Sequence, residues 1–187
     1  MRWTEQEWED YADGLRQARI RPERKEGGDF IIIAIDPGNE QSAFVVWDGK
    51  RIYEKGIVSN YDLLAKLGQD THYGKTYRSA IEMVASYGMA VGKTVFDTCV
   101  WIGRFIEVSF SHSLVYRKDV KMCLCGSMRA KDANIRQALI DKFGKPGTIK
   151  APNLVYGETN RVEDKMKADL WSALAVAVTW HDLNIKT

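Results

Sequence analysis

The feature that most constrains this chain is an unbroken apolar run, Phe30-Ile31-Ile32-Ile33-Ala34-Ile35, stopped by Asp36-Pro37-Gly38. The run is too short for a helix and is dominated by β-branched isoleucine. It has no polar alternation, so both of its faces must be covered, which makes it a buried central strand. Asp36 is then a carboxylate at the C-terminal end of a central strand, where α/β sheets tend to place ligands. A charge at that margin is expensive unless it is paired or binds a cation. The plainer alternative is an Asp that starts a turn by accepting backbone N–H groups.

The rest of the chain can be assembled around that strand. Ala43 to Trp47 reads as a second strand, Asp48-Gly49 as a hairpin turn and Arg51 to Val58 as a third strand, an antiparallel meander. Tyr61 to Leu67 reads as a short helix, Gly68 to Thr76 as a polar loop and Ser79 to Val84 as a fourth strand. Val91 to Val108 reads as a helix with Val95, Cys99, Ile102 and Ile106 on one face. Leu114 to Tyr116 is a short fifth strand. The helix Ala133 to Phe143 ends at Gly144-Lys145-Pro146-Gly147, and Asp164 to Trp180 forms a last helix, apolar on most sides in its second half. This order predicts an α/β domain with a mixed five-stranded sheet flanked by helices over residues 29–187. Ahead of it, residues 4–20 predict an amphipathic helix and Arg21 to Gly28 a linker, so residues 1–28 form an appendage.

Charge narrows the function classes. Among 187 residues, 27 Lys+Arg against 25 Asp+Glu leave a net +2, which argues against a uniformly basic nucleic-acid binder. Between Leu114 and Lys150, however, nine Lys/Arg face three Asp, a local +6. A basic region beside acidic residues suits a metal-dependent nuclease, although an unevenly charged solvated surface has the same composition. No apolar run approaches the ~20 residues a membrane span needs. The first residues carry no apolar targeting region, so a cytoplasmic protein is expected. Cys99, Cys123 and Cys125 are read as free thiols that pack in the core, since no second Cys or His pair matches a metal spacing.

Two further acids stand out. Glu82 is a lone charge in the strand Ser79-Ala80-Ile81-Glu82-Met83-Val84, where Glu is disfavoured; the bland reading is the exposed face of an edge strand. Asp169 precedes the apolar half of the last helix, with Asp164 and Glu163 as nearby spares, and an ordinary acid near a helix N-terminus explains each of them too. Together, Asp36, Glu82 and Asp169 would converge on one sheet edge. Clustered carboxylates repel unless hard cations lie between them, and Mg²⁺ prefers such oxygen ligands. Two ions about 4 Å apart activate a water and stabilise the leaving oxygen of a phosphodiester.

Here the sequence resembles a known family. Ile33-Ala34-Ile35-Asp36-Pro37-Gly38 is similar to the opening strand of RuvC-like Holliday junction resolvases, and Ile81-Glu82-Met83-Val84 to their second acidic motif. Val120-Lys121 with Gly126, Ala130 and Ile135 resembles their basic stretch, and Asp169 through Val178 their terminal helix. The resemblance implies an RNase H-like fold, a homodimer and Mg²⁺- or Mn²⁺-dependent paired nicking of four-way DNA junctions. It makes Asp36, Glu82 and Asp169 metal ligands; a fourth ligand is either missing or supplied by Asp164. It makes Lys121 and Lys131 cations near the scissile phosphate.

The chain also departs from the family pattern. Ser172 stands where a second terminal acid is expected, and Asp132 where a basic residue is. These differences suggest a divergent, phage-encoded member and leave room for other branched DNA or RNA–DNA hybrids as substrates, or for an inactive junction-binding protein. Affinity for branched DNA is expected to come from Lys75, Arg78, Lys93, Arg104, Arg117, Lys118 and Lys121. Phe96, Trp101 and Phe105 are candidates for facing a second subunit, with core packing as the alternative.

Overall fold

A computed structural model describes residues 30–69, 75–85, 88, 90–144 and 168–185, together with Gln6. The expected N-terminal helix and linker, most of the polar loop before the fourth strand, and the stretch holding Glu163 and Asp164 lie outside the described residues.

Five strands form one sheet: β1 (Phe30–Asp36), β2 (Gln41–Trp47), β3 (Ile52–Ser59), β4 (Thr76–Met83) and β5 (His112–Tyr116), in the order β3-β2-β1-β4-β5. β1, β2 and β3 are antiparallel neighbours, while β4 runs parallel to β1 and β5 parallel to β4. The sheet is therefore mixed, with the apolar run at its centre. Five helices are described: α1 (Asn60–Leu67), α2 (Lys93–Val108), α3 (Arg117–Cys125), α4 (Asp132–Phe143) and α5 (Ala168–Asn184).

The central strand is buried on both faces because helices cover both. Ile31, Ile33 and Ile35 pack with Leu63 and Leu67 of α1 and Ile102 and Phe105 of α2. Ile32 and Ala34 lie on the other face, in a core shared with α5, Val120 of α3 and Ile135 and Leu139 of α4. Each fully buried isoleucine contributes about 2 kcal/mol by removal from water. In α5 every residue from Ala173 to Trp180 is buried. Its alanines let the helix lie close against β1 and β2.

Three expectations need correction. The apolar face of α2 is rotated: Thr98, Ile102 and Phe105 are its buried residues. Phe105 is 0% exposed in the domain's own core, so it cannot face a second subunit. A helix not foreseen, α3, follows β5 directly. It carries Cys123 and Cys125, which are partly buried rather than enclosed, as is Cys99.

Candidate active site

Strand parity brings the first two acids together. On β1, Ile32 and Ala34 face α5, so Asp36 does too; on β4, Ala80 faces α5, and so does Glu82. The parallel register pairs Ile35 with Ile81, so Asp36 and Glu82 follow as neighbours at the C-terminal ends of adjacent strands. β4 lies between β1 and β5, and the Glu82 side chain is only 14% exposed, which removes the edge-strand alternative.

The loop after Asp36 is held from beneath. Ser42 Oγ accepts from the Gly38 N–H at 3.2 Å and donates to Asn60 Oδ1 at 2.6 Å. The Asn60 amide in turn donates to the Gly38 carbonyl at 2.9 Å. Both Ser42 and Asn60 are buried, so this polar network is satisfied and fixes where β1 ends. Gly38 has no room for a side chain: a Cβ there would lie 2.2 Å from the Gln41 carbonyl oxygen.

α5 brings Asp169 and Ser172 to the same place from above. Asp169 is exposed in the first turn, and its charge acts on Asp36. Ser172 hydrogen-bonds to the Asp36 carboxylate. Burial, then the charges of Glu82 and Asp169, push the Asp36 carboxyl up to about 7, against opposing help from Arg117 and Ser172. Glu82 is also raised, by burial first; Arg117 opposes the shift and Asp132 adds to it.

The positive partner is Arg117. Val115 is paired with Glu82 in the register, and Arg117 lies two residues further on, at the start of α3. Its Nη1 lies 3.5 Å from Glu82 Oε1, and its Nη2 makes a closer contact with Asp132 Oδ1 at the start of α4. Burial works against the Arg117 charge, but Glu82 and Asp132 outweigh it and hold the guanidinium more firmly protonated.

Among the described residues no three His, Cys, Asp or Glu side chains are drawn together into a ready-made metal cage. The donor set nonetheless suits a hard cation. Asp36 and Glu82 are half-buried carboxylates that burial pushes towards the proton-bound form, and a cation is what relieves such a site.

The remaining expected residues are spread more widely. Lys121 is half-buried on α3, and Lys131 is exposed just before α4, where its backbone N–H donates to Asn134 Oδ1 at 2.9 Å. Arg117, expected among DNA contacts, lies within the acidic site. Lys93 pairs with Asp97 at 2.6 Å, Arg78 donates to Ser111 at 3.0 Å, and Arg104 lies 4.2 Å over the Trp101 ring. Lys75 lies over Tyr53 and Lys118 over Tyr116. Asp164 falls outside the described residues. The Asp132 and Ser172 contacts were not foreseen, although both residues stood out as departures from the family pattern.

No protein-family model and no curated protein sequence matches this chain. Solved structures do. The Thermus thermophilus RuvC structure aligns with a TM-score of 0.58 at 17% identity, covering 80% of this chain and 92% of that one. T. thermophilus RuvC in complex with Holliday junction substrate aligns with a TM-score of 0.56 at 16% identity, covering 80% and 91%. The mixed five-stranded sheet, its strand order and its helices on both faces are the RNase H-like fold of RuvC, divergent in sequence.

Proposed function

We propose that this protein is a Mg²⁺-dependent, structure-selective endonuclease that resolves four-way DNA junctions by paired nicks, with Mn²⁺ able to substitute. The observation that carries this reading is the convergence of Asp36 and Glu82 from adjacent parallel strands, with Asp169 above them, in a fold shared with a resolvase that binds Holliday junctions.

Asp36, Glu82 and Asp169 would hold the cation, with Asp164, which lies outside the described residues, as the candidate for a further ligand. A bound divalent ion would supply an activated water and a counter-charge for the leaving oxygen. The chain itself does the rest. The Ser42–Asn60–Gly38 network keeps Asp36 at one height, and Ser172 orients its carboxylate. Lys121 and Lys131 would set point positive charges near the scissile phosphate. Lys75, Arg78, Lys93, Arg104 and Lys118 remain the candidates for backbone contacts on the junction arms, so binding should weaken steeply with salt, while Arg117 is drawn into the acidic site. Two cuts on one junction need two active sites, hence a homodimer. A setting in the cytoplasm, of a host cell if the chain is phage-encoded, fits this reading. Among the described residues no helix is long and apolar enough to cross a membrane.

The test is cleavage of a synthetic four-way junction with Mg²⁺ or EDTA, comparing wild type with Asp36→Asn. Symmetric nicks that require both the metal and Asp36 are expected. The variant should still bind the junction, as tightly or more tightly, because it loses a ligand and a repulsive charge together. Stronger cleavage of forks, flaps or RNA–DNA hybrids would move the substrate to other branched or hybrid nucleic acids. Tight salt-sensitive binding without cleavage would make it a junction-binding protein.

A further inference from the structure

We propose that Arg117 is a positioning residue: anchored by Asp132, it is the resident counter-ion of Glu82 and competes with a divalent cation for that carboxylate. This rests on the reading of Asp36 and Glu82 as cation ligands.

The geometry is asymmetric. One guanidinium nitrogen lies 3.5 Å from Glu82, a long and weak contact, while the other makes a closer one with Asp132. The Asp132 side chain is 83% exposed and the Glu82 side chain 14% exposed. The shorter end of the bridge is therefore at the solvent mouth and the longer end is inside. Such an arrangement keeps Glu82 compensated before a cation binds yet yields that carboxylate to a stronger cation without displacing the arginine from Asp132. The charges facing Arg117 are Glu82, Asp132 and Asp36, all acidic, from β4, α4 and β1. No other described basic side chain pairs with Glu82, so the role is specific to position 117. A divalent ion bound beside Glu82 would also feel the guanidinium as a like charge, so Arg117 lowers metal affinity while stabilising the fold without metal.

Two measurements test this. The first is a double-mutant cycle of R117Q and E82Q in EDTA, read as urea midpoints. Arg117→Gln alone should lower the midpoint, and adding Glu82→Gln should recover most of the loss. The second is calorimetric titration with Ca²⁺, without DNA. Removing one positive charge beside the ion should tighten binding about tenfold in R117Q. Arg117→Lys keeps the charge and should stay within about threefold of wild type. Independent, additive effects in the cycle would overturn the counter-ion assignment whatever the metal does. Coupling with unchanged or weaker Ca²⁺ binding in R117Q would overturn the competition. A wild type that binds neither Ca²⁺, Mn²⁺ nor Mg²⁺ would overturn the metal reading of the site and this inference together.

Discussion

At the scale of single residues, the tension at this site lies in Asp36. Its carboxyl is raised from 3.8 to about 7 in the folded chain, by burial and by Glu82 and Asp169. The folded state thus holds the proton more tightly than the unfolded one. The resulting stabilisation is complete below about pH 3.8 and is lost as the pH rises through 7. Asp36→Asn stays neutral throughout, so in EDTA it should match wild type at low pH and exceed it at pH 8. The gain is a few kcal/mol at most, roughly 5 °C in Tm. Thermal melts at several pH values check this, and no widening gap between pH 5 and 8 would refute it. Asp36 and Glu82 were legible in the sequence for the same reason that they are strained: each is a lone charge beside an apolar strand. The Arg117 bridge was not legible. It joins residues 35 apart in the chain, and only the β4–β5 register brings them together.

At the scale of elements, apolar pattern located what packs and missed what does not. α5 was clear because its second half has no polar face. α3 was hidden because Arg117-Lys118-Asp119-Val120-Lys121 buries only Val120 and shows no stripe; Asp119, which accepts from the Tyr116 N–H at 3.4 Å, and the left-handed Gly126 define its ends. α2 was found, with Ile102 buried and Ile106 packed on the core as expected, but its face is rotated so that Thr98 and Phe105 are buried in place of Val95 and Cys99. It carries two apolar stripes, Val95-Cys99-Ile102-Ile106 and Thr98-Ile102-Phe105, and only the sheet decides between them. The close seat of α5 makes its own prediction. Ala175 is 0% exposed within the core, so Ala175→Leu overpacks it and should cost about 1–3 kcal/mol. That loss, read as a lowered denaturation midpoint, should come with slower nicking, since α5 carries Asp169 and Ser172 to Asp36. Leu183→Ala, on the same helix but 62% exposed, should change stability by less than about 0.5 kcal/mol.

At the scale of the whole molecule, a third apolar stripe of α2, which points outward, is left without cover among the described residues. Phe96 is 60% exposed and Val100 62%, one helical turn apart. Trp101 packs edge-on to Tyr61 at 4.9 Å beside them, and Arg104 lies over both rings. Phe105 points into the core and takes no part. If the proposed homodimer forms through this stripe, a two-fold axis would set α2 against its copy and leave each acidic site, on the opposite face of the sheet, free for DNA. Introducing charge there should separate the subunits without touching the site. Phe96→Glu with Val100→Glu should sediment as a monomer, keep the wild-type far-UV circular dichroism because both residues are exposed on the single subunit, and keep its divalent-cation binding. On a supercoiled plasmid that extrudes a cruciform, wild type should yield mainly linear product, from two cuts within the lifetime of one complex. The charged variant should yield nicked circles, since a second cut would need a second, independent encounter. A variant that remains dimeric and still linearises the plasmid would move the interface off α2. A monomer that linearises it as efficiently as wild type would show that pairing of the cuts does not depend on pairing of the subunits.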